Sequence, residues 1–205
     1  MTKLITDQLI YDELSITKAL KLKLISLDSL TSDSLANMNL LNLRGLHAIK
    51  KKLINLQTLY LYNNKLTNIA RGTFAGLTNL QWLDLYNNHL TNIASGAFAG
   101  LINLQTLELS NNKLINITPG AFAGLTNLQA LFLHNNHLTN IAPGTFTGLI
   151  NLRELDLNNN MLTNIAPGTF VKLTNLKMLV LPKELSKELR NQIVSELPKC
   201  KIEYL

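Results

Sequence analysis

Residues 104–127 read LQTLELSNNKLINITPGAFAGLTN, and the same 24-residue phrase recurs in register from Leu56, Leu80, Leu128 and Leu152. A sixth copy starts at Leu176 and stops after Leu181. Every complete copy fits LxxLxLxNNxLxNIxxGxFxxLxN. A fixed period of this length marks a chain of stacked coils, because one such unit cannot bury its apolar side chains alone and must share a core with its neighbours.

The spacing L-x-x-L-x-L-x-x-N-x-L, with G-x-F on the return side, resembles the leucine-rich repeat family in its typical 24-residue subclass. The likeness covers about two-thirds of the chain. It implies an α/β solenoid, with a curved parallel sheet on the concave side and short turns or 3₁₀ segments on the convex side. A helical cap is expected at each end. Each coil then contributes one short strand and a return segment. Leu104, Leu107 and Leu109 point inward from the strand, Leu114 and Ile117 continue that face, and Phe122 and Leu125 close the coil. Neighbouring strands bond sideways about 4.8 Å apart.

Past the strand the backbone bends and its amide groups leave the ladder. A carboxamide both donates and accepts, so Asn112 is expected to supply the missing partners. The same column holds Asn64, Asn88, Asn136 and Asn160, an asparagine ladder. Phe74, Phe98, Phe122, Phe146 and Phe170 form a matching spine on the far side, leaving Phe132 as the sixth phenylalanine and the exception. Gly72, Gly96, Gly120, Gly144 and Gly168 mark a tight turn where φ is expected to be positive. Pro119, Pro143 and Pro167 precede three of these and disfavour a long helix there.

The 205 residues, 46% of them apolar, suit one elongated domain in three parts. Residues 1–55 are read as an N-terminal cap, 56–181 as the repeats, and 182–205 as a C-terminal cap. Within the first part a short helix is expected over 6–14, a strand or helix end over 20–27, and a helix from Thr31 or Ser32 to about Met38. A degenerate coil follows at Met38, Leu41, Leu43, Leu46 and Ile49. In the last part residues 186–197 set Leu189, Ile193 and Leu197 on one helical face with Leu185, and residues 201–205 read as an edge strand.

A single cysteine, Cys200, excludes an internal disulfide, whereas extracellular members of the resembled subclass carry cysteine-rich caps. Residues 1–14 hold Asp7, Asp12 and Glu13 with no apolar stretch of a leader. No run is long and apolar enough to span a bilayer. The expectation is a soluble, monomeric, cytoplasmic protein that does not engage a membrane; a secreted chain without its leader would read the same way. The net charge of +6 is spread along the chain, with eight basic and five acidic residues in 1–55, six and four in 56–181, and five and four in 182–205. Nucleic-acid binding needs basic groups gathered on one face, and only Lys50, Lys51 and Lys52 are gathered. Nucleic acid is therefore not an expected partner.

The copies differ from one another in a patterned way. The return side is almost duplicated, while the outward strand positions vary. The third position runs Thr58, Trp82, Thr106, Ala130, Glu154; the fifth runs Tyr60, Asp84, Glu108, Phe132, Asp156; the seventh runs Tyr62, Tyr86, Ser110, His134, Asn158. These columns are expected to lie side by side on the concave face. Exposed aromatics offer contact area with little rotamer entropy to lose. The candidate partner-binding residues are Tyr60, Tyr62, Trp82, Asp84, Tyr86, Glu108, Phe132, His134 and Asp156, presented to a protein ligand. The alternative is a structural or oligomerising scaffold that acts through the N-terminal cap.

Chemistry is not expected. Ser110, His134 and Glu108 supply the residue types of a triad, but nothing offers an oxyanion hole or a closed pocket. His134 and His137 straddle a bend, and His89 lies two coils from His137, too far to share a zinc ion. No catalytic residue, metal or cofactor is assigned.

Overall fold

A computed structural model describes residues 35–37, 43 and 53–205. The elements expected over 6–14 and 20–27, the lysine run at 50–52, and most of the 31–38 helix lie outside the described residues. The strands are β1 (Thr58–Tyr60), β2 (Trp82–Asp84), β3 (Thr106–Glu108), β4 (Ala130–Phe132), β5 (Asn140–Ile141), β6 (Glu154–Asp156), β7 (Asn164–Ile165), β8 (Met178–Leu181) and β9 (Lys201–Tyr204). One helix, α1 (Lys187–Glu196), lies between β8 and β9. Seven strands pair in the order β1-β2-β3-β4-β6-β8-β9, every pair parallel. Strands β5 and β7 pair separately on the return side.

Each repeat strand holds three residues, with the middle one buried and its neighbours facing out. The period of two along a strand forces that alternation. The next leucine ends the strand but stays in the core, as Leu61, Leu85, Leu109, Leu133 and Leu157 do.

The two asparagines that follow have different tasks. The first of each pair (Asn63, Asn87, Asn111, Asn135, Asn159) takes a positive φ of 49 to 55°, a conformation asparagine tolerates better than most residues. The second turns inward. Asn88 Nδ2 donates to Leu61 O, Leu85 O and Tyr86 O, and its Oδ1 accepts the Leu66 N–H. The pattern repeats at Asn112, Asn136 and Asn160. A further column runs along the outer corner, where Asn79, Asn103, Asn127, Asn151 and Asn175 each donate to a carbonyl of the preceding coil.

On the convex side Phe74, Phe98, Phe122, Phe146 and Phe170 stack nearly parallel, with centroids 6.0 to 6.3 Å apart. Strands in a sheet sit only about 4.8 Å apart. The return side is therefore wider per coil than the strand side, and the stack must curve with the sheet inside. Gly120 takes φ 80° at its turn, and a Cβ there would stand 3.1 Å from Ser95 Oγ.

At the front, Leu35, Asn37 and Leu43 stand 26 residues before Leu61, Asn63 and Ile69. Leu35 O accepts from Asn64 Nδ2, Asn37 N–H donates to Tyr62 O, and Asn37 Oδ1 accepts from Asn63 Nδ2. One coil later Leu61 O accepts from Asn88 Nδ2, the Asn63 N–H donates to Tyr86 O, and Asn63 Oδ1 accepts from Asn87 Nδ2, the same three bonds. Of the degenerate coil expected at Met38, Leu41, Leu43, Leu46 and Ile49, all but Leu43 lie outside the described residues, and Leu43 is buried.

At the back, Ser186 caps α1 by accepting the Leu189 N–H at 3.2 Å, and Leu185, Ile193 and Leu197 are buried. Glu196 accepts the N–H groups of Gly168 at 2.8 Å and Phe170 at 3.0 Å, which fastens the helix to the last complete repeat.

Candidate binding face

The parallel register places the variable columns edge to edge. Tyr60, Asp84, Glu108, Phe132, Asp156 and Val180 are consecutive partners across six strands, and Thr58, Trp82, Thr106, Ala130, Glu154 and Met178 form the next row. Trp82 and Tyr86 are exposed, at 44% and 37%. Tyr60, Tyr62 and Phe132 are half-buried, a correction to the expectation of a uniformly exposed aromatic face. Within the first repeat Tyr60 and Tyr62, two positions apart on the same face, meet edge to face at 5.9 Å. Tyr86 is held by its hydroxyl, which accepts from Asn111 Nδ2 at 3.0 Å.

The three carboxylates of the fifth column share one conformation. Asp84 Oδ1 accepts the Tyr86 N–H at 2.9 Å, Glu108 Oε1 the Ser110 N–H at 2.7 Å, and Asp156 Oδ1 the Asn158 N–H at 2.9 Å. Each reaches the second amide after its own, where the strand has ended. Burial pushes the Asp84 and Glu108 carboxyls above the ordinary range, and these hydrogen bonds only partly offset it.

His134 and Asp156 stand on neighbouring coils with Nδ1 and Oδ2 3.1 Å apart. The Asp156 hydrogen bond raises the His134 pKa, against a smaller opposing effect of burial. Ser110 departs from the open position expected of it. It is only 1% exposed, and its hydroxyl donates to Glu108 Oε1 at 2.5 Å. Its oxygen is thus turned toward a carboxylate while the His134 imidazole faces Asp156, so the three do not make a nucleophile and base. Among the described residues no group of three or more His, Cys, Asp or Glu is placed to hold a metal ion. Cys200 is half-buried in the C-terminal cap, and burial pushes its thiol up. Among the described residues no helix is long and apolar enough to cross a membrane.

A family model described as Leucine rich repeat matches residues 34–90, 79–138 and 126–184. No curated protein matches the chain. Among solved structures it is similar to the LRR protein LIC12759 of Leptospira interrogans, at 33% identity and a TM-score of 0.63 over 75% of this chain. It is also similar to TLR13 in the TLR13-ssRNA13 complex, at 31% identity and a TM-score of 0.62 over 72% of this chain. The chain spans 39% of the length of the first and 22% of the second.

Proposed function

The chain belongs to the leucine-rich repeat family, and from that premise we propose that it is a non-catalytic module whose concave sheet binds a protein partner. Proteins of this family generally mediate protein–protein interaction and are typically not enzymes. The observation that carries the reading is the contrast between copies. The core, the asparagine columns and the return turns repeat from coil to coil, while the outward strand columns vary, the fifth from tyrosine to aspartate, glutamate, phenylalanine and aspartate. Packing does not demand those changes, since the strands keep one register throughout. Trp82 and Tyr86 supply the large exposed rings typical of interface anchors.

The likeness to TLR13, whose complex contains ssRNA13, raises RNA as a ligand. Carboxylates in the fifth column argue against it here, because they repel phosphate. We take the partner to be protein and the module to act as a single copy.

The test is capture of partner from cell lysate by the full chain and by the variant Trp82→Ala/Asp84→Ala/Tyr86→Ala. The expected result is loss of the captured band with an unchanged melting temperature. Undiminished capture by the triple variant would remove the concave face as the binding surface.

A further inference from the structure

The charges of the repeats are segregated. Residues 56–181 contain four acids, Asp84, Glu108, Glu154 and Asp156, and all four occupy outward positions of the concave strands. The six basic residues of the same segment all lie elsewhere on the coils. A chain of net charge +6 thus turns a carboxylate-bearing wall inward, with His134 as its one basic side chain in the three variable columns of the repeats.

Backbone capping does not account for these acids. The coils that carry Tyr60 and Phe132 at the same place keep the same strands and register. Capping also engages only one oxygen of each carboxylate. Among the described residues Asp84 Oδ2 and Glu108 Oε2 accept nothing, whereas Asp156 Oδ2 meets His134. Asp84 and Glu108 are direct partners in the register of β2 and β3, about 4.8 Å apart at the backbone. Trp82 leaves β2 on the same side as Asp84, with its ring in solvent. A guanidinium group is planar, can donate to two carboxylates at once, and stacks on an indole face.

We propose that the Asp84–Glu108 pair, with Trp82 beside it, receives an arginine side chain of the partner, so that the segment docking on this face is basic. This rests on the concave face being the binding face. Burial raises both half-buried carboxyls, and Asp84 on the adjacent strand adds to the rise at Glu108 against a lowering by His134. An incoming guanidinium relieves both costs together.

Trp82 is the only tryptophan, so its emission reports from the site itself. The full chain is titrated with acetylated tetra-arginine amide, tetra-lysine amide, tetra-glutamate amide and oligouridylate, with affinity read by calorimetry and location by Trp82 fluorescence. Tetra-arginine is expected to shift the emission saturably and to bind more tightly than tetra-lysine, while tetra-glutamate and the RNA leave it unmoved. Asp84→Asn/Glu108→Gln should weaken tetra-arginine about tenfold. The same charge removed from the cap, Glu184→Gln/Glu188→Gln, should not. Equal weakening in both double variants, no weakening in either, or saturation of the Trp82 signal by oligouridylate would overturn the arginine site. Partner capture that survives Asp84→Asn/Glu108→Gln but not the triple alanine variant would overturn it while leaving the concave face in place.

Discussion

Asn112 Nδ2 donates to the carbonyl of Leu85, a full coil back, at 3.0 Å, and to Leu109 and Ser110 of its own coil at 3.1 and 3.2 Å. Its Oδ1 accepts the Leu90 N–H at 3.0 Å. One buried carboxamide thus satisfies backbone groups that the end of a strand leaves unpaired. Asn112→Ala should cost about 2–4 kcal/mol, since several buried polar groups lose their partner at once. Asn112→Asp should cost more at neutral pH, because a carboxylate cannot donate to carbonyls, and the excess should shrink as the pH falls and the acid protonates. Urea unfolding of the three proteins at two pH values measures both, and an aspartate variant as stable as the alanine one at neutral pH would contradict the assignment.

Phe122 stacks on Phe98 at 6.1 Å and Phe146 at 6.3 Å, with no exposed surface. Phe122→Ala should lower stability by about 3–5 kcal/mol, the range for emptying a buried phenylalanine site. Phe122→Leu should recover part of the loss. A change below about 1 kcal/mol in the alanine variant would mean that the neighbouring coils collapse onto the gap.

The His134 imidazole has a raised pKa in the fold, chiefly through Asp156. A basic group raised in this way contributes stability fully below its unfolded pKa, about 6.5, and loses it as the pH rises through the folded value. Asp156→Asn should therefore destabilise the protein at mildly acidic pH and much less at pH about 8. In a proton NMR titration the His134 resonance of that variant should shift its midpoint downward. An unmoved midpoint would show that the 3.1 Å contact is not felt in solution.

Asp84 and Glu108 follow the same pH direction as His134, with the opposite consequence for substitution. Burial raises both carboxyls, so the stability they contribute is present at low pH and lost as the pH rises through their folded values. Asp84→Asn/Glu108→Gln should leave the melting temperature at neutral pH unchanged or higher, with the difference from the parent shrinking on acidification. A lower melting temperature at neutral pH would instead make the two acids a structural asset.

The repeat phrase by itself determined the architecture: the number of coils, which leucines form the core, and which faces the phenylalanines and the variable positions occupy. A 24-residue period carries that information locally, since each coil meets only the next and the same solution is reached five times over. The C-terminal helix was readable for a similar reason, with its serine cap and apolar spacing contained in one short segment. What involved two coils at once was not readable in this way. The pairing of His134 with Asp156 and the half-burial of Phe132 depend on which side chains become neighbours when coils stack, while the turn of Ser110 onto Glu108 and the contact of Tyr60 with Tyr62 are rotamer choices within one coil. The bonds of Leu35 and Asn37 to Asn63, Asn64 and Tyr62 were not readable either, because Leu35-x-Asn37 is an ordinary tripeptide until those partners are seen. A repeat fixes the backbone through contacts it makes with copies of itself, whereas the chemistry of its face is set where unlike residues of adjacent copies meet.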